Sequence, residues 1–204
     1  MIDLSDVWAD PIVRFQRRFY IPLVLLFWGA IPTLVPVYFW NENLGMMIFG
    51  NFFRYIASLH QAWLVNSAAH IYGYQFYDKS LEPRENYLVT YLAMGEGYHN
   101  YHHTFPYDYS ASEHGWKYCF NVATAFIDFF AFLGLVRDRR VVSRKIVEAR
   151  IARTGDMSLR PAYMDVHRKP KIAWVDITLG TIVTTWAVWL TWILNFICRN
   201  YIDV

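Results

Sequence analysis

The sequence predicts an all-α membrane protein: a transmembrane helical hairpin, a cytosolic helical cap bearing histidines, and one further transmembrane helix near the C-terminus. Three observations predict it. Over 204 residues, hydrophobic side chains make up 55%, aromatics 19% and charged residues only 18%, against about 45–50% apolar and about 25% charged in soluble domains. The apolar residues gather into long runs, and basic residues border those runs unevenly. Disorder is excluded, because disordered chains are poor in apolar and aromatic residues. Two cysteines, Cys119 and Cys198, form neither a disulfide framework nor a metal motif. A net charge of +2 gives no reason to expect nucleic acid as a partner.

The first run, 19–40, carries no charge and is close to the ~20 residues that cross a bilayer. Its Pro22, Pro32 and Pro36 are tolerated in membrane helices better than in soluble ones. A polar turn, Asn41-Glu42-Asn43, leads to the second run, 44–65, which holds Arg54 and His60. Polar residues inside a span predict a face turned toward protein or a cavity. Arg14, Arg17 and Arg18 precede the first run and Arg84 follows the second, which places both ends of the hairpin in the cytosol. Arg168, Lys169 and Lys171 place the start of the third run, 172–197, there too. Met1 is followed by an acidic stretch rather than a basic leader, so the first run is expected to act as an internal signal.

Between the runs lies a predicted cytosolic cap, 66–156, followed by a linker, 157–171. Within the cap, 118–136 is apolar nearly all round, but Asp128 at its centre would cost roughly 2.5–3.5 kcal/mol in a bilayer. That predicts a buried or interfacial helix. The basic stretch after it, Arg137 to Arg153, reads either as a solvated surface helix or as a docking face for phosphates or an acidic partner.

Four of the seven histidines lie between positions 70 and 103, and His99, His102 and His103 fall within five residues. On a helix these three project within roughly 100° of one face. Neutral imidazoles gathered so closely act together as ligands for a borderline metal such as iron or zinc. Asn66 and His70, four apart, are expected to align on one helical turn at the end of the second run. Asn66 alone reads as a helix-packing hydrogen bond, and Glu96 as either a turn residue or an acceptor that orients a histidine ring. His60, His114 and His167 have no partners in sequence and read as structural or exposed.

Trp63-Leu64-Val65-Asn66-Ser67-Ala68-Ala69-His70, Pro83-Arg84-Glu85-Asn86 and the segment Gly95-Glu96-Gly97-Tyr98-His99-Asn100-Tyr101-His102-His103-Thr104-Phe105-Pro106 closely resemble the animal acyl-CoA delta-9 (stearoyl-CoA type) desaturases of the membrane fatty acid desaturase family. So do Asp3–Arg18, Pro32–Pro36, Tyr77–Lys79, Tyr107–Glu113 and Ala149–Asp156, so that the resemblance covers about 1–156. It implies a multi-pass enzyme of the endoplasmic reticulum membrane with its cap facing the cytosol. Such enzymes use two irons, dioxygen and electrons from a small microsomal b-type cytochrome to place a cis double bond in a fatty acyl-CoA. Residue by residue, the resemblance implies that His70, His99, His102 and His103 are metal ligands, that Asn66 reaches a metal through water, and that Trp63 contacts substrate.

Two departures bear on activity. The family's other histidine boxes, H-x4-H and a first H-x2-H-H, have no copy in this sequence, and the run at 172–197 is foreign to the family's usual C-terminus. Four histidines and an asparagine supply part of a two-iron site, so the 204 residues by themselves are expected to be inactive. The alternatives are a non-catalytic desaturase-derived membrane protein that binds metal or associates with an intact desaturase, and a longer protein whose upstream part lies outside these residues.

Overall fold

The computed structural model describes residues 3–159, together with Trp174, Thr178, Thr181, Ile182, Thr185, Ile193 and Phe196. The predicted linker past Leu159 and the predicted span at 172–197 otherwise lie outside the described residues. Among the described residues every regular element is helical. The chain forms two compact units, 1–58 and 59–204.

The first unit opens with α1 (Ser5–Ala9) and α2 (Pro11–Arg18). The Asp10 carboxylate accepts the Ile12 N–H at 2.7 Å and Pro11 fills the first helical position, the pairing that favours a helix start. Next come α3 (Tyr20–Val24), a wide π-helical turn (Leu25–Ala30) and α4 (Ile31–Trp40). Together they make a run, Tyr20–Trp40, that is long and apolar enough to cross a membrane, as predicted for 19–40. Asn41, left-handed at φ 54°, ends it. The π-helical turn lies just before Pro32, which has no N–H to offer the Trp28 carbonyl four residues back. That carbonyl accepts from Asn51 Nδ2 at 2.8 Å and Arg54 Nη2 at 3.4 Å, and Arg54 in turn donates to Asn51 Oδ1 at 2.6 Å. The Trp28 ring meets Phe52 and Tyr55 edge-on, at 5.7 and 5.3 Å. Arg54 is therefore turned toward protein, as its place in an apolar run predicted.

Asn51 and Arg54 belong to α5 (Leu44–Asn66), 23 residues long and so about 34 Å. It coincides with the predicted second span. It is less apolar than the first, however, because Asn51, Arg54, His60 and Gln61 interrupt it. Among the described residues only Tyr20–Trp40 is both long and apolar enough to cross a bilayer.

The second unit contains α6 (Ala68–Ile71), α7 (Tyr87–Leu92), α8 (His99–Thr104), α9 (Val122–Phe132), α10 (Arg144–Thr154) and a 3-10 turn, Met157–Leu159. Its core joins Phe76 and Tyr77 to Tyr101 of α8, to Phe105 just past that helix, and to Val142, Val147 and Ile151. Val147 and Ile151 stand four apart, which gives α10 one buried stripe. Gly155 ends that helix where a Cβ would lie 2.6 Å from the Phe76 carbonyl oxygen. Two ion pairs tie the basic stretch down: Arg150 to the fully buried Asp78, and Arg139 to Asp128 at 2.6 Å. Arg144, Lys145 and Arg153 remain exposed, so the stretch is partly structural and partly solvated.

The apolar segment at 118–136, expected as a buried or interfacial helix, is not a buried one. Its helix covers only Val122–Phe132, and Phe126, Phe129 and Phe132 are exposed rather than buried. The reason is Asp128, which accepts from Tyr109 Oη at 2.9 Å, Trp116 Nε1 at 2.8 Å and Arg139. Satisfying that carboxylate turns its side of the helix inward and the phenylalanines out.

Candidate metal centre

The histidine segment owes its geometry to the residues between the histidines. In α8, Asn100 and Tyr101 are fully buried or nearly so, at 0% and 1% exposure, while His102 is half-buried and His103 exposed. Helical steps of about 100° put Asn100 and Tyr101 on the core side and leave the histidines on the other. The Asn100 amide is used completely. Its Oδ1 accepts the N–H groups of Tyr77 (2.8 Å) and Asp78 (3.1 Å), and its Nδ2 donates to the carbonyls of Asp78 (3.0 Å) and Pro83 (2.9 Å). Tyr101 donates its hydroxyl to Asp108 at 2.9 Å.

A second anchor is Glu85. Its backbone pairs with Tyr74 and Tyr98, and its buried Oε1 accepts the Tyr101 N–H at 2.8 Å, within the first turn of α8. Burial pushes this carboxyl up to about 8, against the lowering pull of the Tyr101 and Asn100 N–H groups. Asn86 continues the strap: it caps α7 by accepting the Val89 N–H and takes the Gly97 carbonyl with its own N–H at 2.8 Å. The approach at Gly97 is so close that a Cβ would lie 2.3 Å from the Asn86 carbonyl oxygen and from Thr90 N. Gly97→Ala should destabilise the second unit by about 3 kcal/mol or more, the upper range for overpacking, read as a lowered unfolding midpoint of the full chain in detergent.

On this scaffold the nitrogens of His70, His99 and His103 lie within 4.8 Å of one another. His70 Nε2 and His99 Nε2 are 3.0 Å apart, and the His99 and His103 ring centroids 4.5 Å apart. His102 flanks the group with its ring 6.1 Å from that of His99, and its Nδ1 is buried without a hydrogen-bond partner. Burial, reinforced by the other histidines, lowers His99 to about 4, and His103 moves in the same direction for the same causes. Both are thus held in the neutral, metal-binding form at pH 7. The donor set fits a borderline metal: three imidazoles converge, and one buried ring nitrogen of His102 lacks a protein partner.

Asn66, Trp63 and Glu96 lie around this group as follows. α5 ends at Asn66, and the chain breaks at Ser67 before α6, with Ser67 Oγ bonded to the Trp63 carbonyl at 2.8 Å. Asn66 and His70 therefore do not share one continuous helical turn, and Asn66 is exposed. Trp63 is 59% exposed on α5, its ring 6.1 Å from that of His60. Glu96 is exposed and sits in a turn, its N–H on the Ala93 carbonyl at 3.3 Å; the buried carboxyl group beside the histidine helix is that of Glu85. Asn100 and Glu85 were not singled out from sequence.

No family model matches the chain. Curated proteins do. Acyl-CoA desaturase of Ovis aries is 54% identical over 160 residues, covering 78% of this chain and 44% of that protein. Stearoyl-CoA desaturase of Homo sapiens is 54% identical over 156 residues, 76% of this chain and 43% of that protein. The chain is a relative of the animal acyl-CoA desaturases. Stearoyl-CoA desaturase 5 of Bos taurus agrees, at 54% over 158 residues. The chain spans less than half the length of the desaturases it matches.

Proposed function

We propose that this chain supplies one side of the metal centre of a membrane-bound, dioxygen-dependent acyl-CoA desaturase. The observation that carries the reading is the convergence of His70, His99 and His103 nitrogens within 4.8 Å, in a chain 54% identical to stearoyl-CoA desaturases. His70, His99, His102 and His103 would hold iron directly, and Asn66 through water. Bound iron supplies the oxidising power needed to take hydrogen from an unactivated C–H bond with dioxygen. The chain's own residues do the rest. Glu85 and Asn100 fix the histidine helix, burial keeps the His99 and His103 imidazoles neutral, and Trp63 offers an aromatic surface to the acyl chain. The substrate is a fatty acyl-CoA and the electron donor a small b-type cytochrome. Helices Tyr20–Trp40 and α5 form a hairpin in the endoplasmic reticulum membrane, with 66–156 in the cytosol.

Four histidines are fewer ligands than two irons need, so residues 1–204 alone should not desaturate. Expressed in cells that lack their own desaturase, they should leave the requirement for unsaturated fatty acid in place, and restored growth with new monounsaturated acyl chains would overturn this. A second reading, a non-catalytic metal-binding protein that associates with an intact desaturase, draws on the same three-nitrogen group, which can hold one ion unaided. One metal per purified chain by elemental analysis, with co-purification of a full-length desaturase, would favour it.

A further inference from the structure

The exposed face of α9 has no role in the metal centre. Phe126, Phe129 and Leu133 recur at the helical spacing that makes one stripe, and they are 64%, 57% and 51% exposed; Phe132 beside them is 87% exposed. The opposite side is fixed. Thr124 is buried with its Oγ1 on the Ser110 carbonyl at 3.0 Å, and Asp128, one turn on, is held by Tyr109, Trp116 and Arg139. Asn121 caps the helix through the Thr124 N–H at 2.9 Å. One side of α9 is therefore held by four partners, and the phenylalanine stripe is presented outward.

We infer that α9 lies in the membrane–water interface, with its phenylalanine stripe at the acyl-chain boundary and Arg137 and Arg140 against anionic lipid phosphates. Eleven residues make about 16 Å of helix, half the ~30 Å of a bilayer core, so α9 is too short to span. An apolar stripe of this length with a fixed polar back matches helices that lie in the interface plane. The charge arrangement selects lipid over water. Directly after the stripe, Arg137 and Arg140 are exposed, and Asp138 is the only acid among residues 129–147. Juxtamembrane arginines of this kind gain about 1 kcal/mol each near an anionic surface. Trp116, 38% exposed, and Tyr118, 50% exposed, add the amphipathic rings that favour the headgroup level. The inference rests on the chain being membrane-embedded and not on its chemistry.

The test uses the full chain, with Cys119→Ser and Cys198→Ser, carrying a nitroxide at Phe132→Cys or Phe129→Cys, in vesicles of phosphatidylcholine and phosphatidylserine. Phe132 is exposed enough for labelling to leave the packing intact, and Arg153→Cys on α10 serves as the aqueous reference. Collisional broadening by oxygen relative to a water-soluble nickel chelate should be severalfold higher at 132 and 129 than at 153. It should fall when phosphatidylserine is omitted. Ready access of nickel at 132 and 129 would overturn the inference, as would low access of both agents, which marks cover by protein such as a second copy. Insensitivity to phosphatidylserine would overturn the arginine–phosphate pairing. Failure of the chain to enter vesicles at all would overturn the membrane reading together with it.

Discussion

Replacing His99 with alanine should lower the affinity of the full chain for ferrous iron, or for cobalt as its surrogate, by at least about 100-fold. Loss of partners one step removed from a metal already costs about 10–100-fold, and His99 is central to the group. Its Nε2 is 3.0 Å from that of His70, and its ring contacts those of both His102 and His103. It is also the most buried of the four, at 5% exposure. Burial first, then the neighbouring histidines, hold it at about 4. Protonation disfavours metal binding, so on acidification the His99 contribution persists through pH 6 and is lost only as pH falls toward 4. His60→Ala, at a ring that contacts Trp63 and lies outside the group, should leave affinity unchanged. Competition titration with a chromophoric chelator reads both variants. Equal affinity in His99→Ala and the parent would remove His99 from the site.

The histidine group was legible in sequence because three imidazoles within five residues admit few helical arrangements, and α8 realises the expected one. The first apolar run was legible for a similar reason, since length and lack of charge alone decide whether a helix can span. What sequence did not reveal depends on long-range polar contacts. Nothing local marks Glu85 as the acceptor for an N–H sixteen residues on, or ties Arg150 to Asp78 across seventy-two positions. The break at Ser67 was hidden because Trp63–Ile71 has no proline or glycine to announce it; the Ser67 hydroxyl, bonded back to Trp63, marks the place only once the backbone is seen. At 118–136 the sequence left open whether the helix is buried or interfacial. Its composition is apolar nearly all round, and a single carboxylate with three donors decides which side faces in.

Asn100→Ala should destabilise the second unit by about 4–6 kcal/mol, beyond the range of most single substitutions and a large share of the ~5–15 kcal/mol that holds a domain folded. The magnitude follows from what the amide satisfies. Removing it strands two N–H groups, of Tyr77 and Asp78, and two carbonyls, of Asp78 and Pro83, in a site with no exposure. Each buried group left unpaired costs about 1–3 kcal/mol, and relaxation around the small alanine recovers part of the sum. Asn100→Asp separates the two halves of the amide. It keeps an acceptor for both N–H groups but turns a carboxylate oxygen toward two carbonyl oxygens, so it should be nearly as damaging as alanine. Had the site needed only an acceptor, aspartate would rescue it. Hydrogen exchange at the Tyr77 and Asp78 amides distinguishes the variants: alanine should expose both, while aspartate should protect them wherever the unit still folds. Because Asn100 lies next to His99 in α8, both variants should also weaken metal binding without touching a ligand. The asparagine between the histidines holds the helix at the depth where their nitrogens converge.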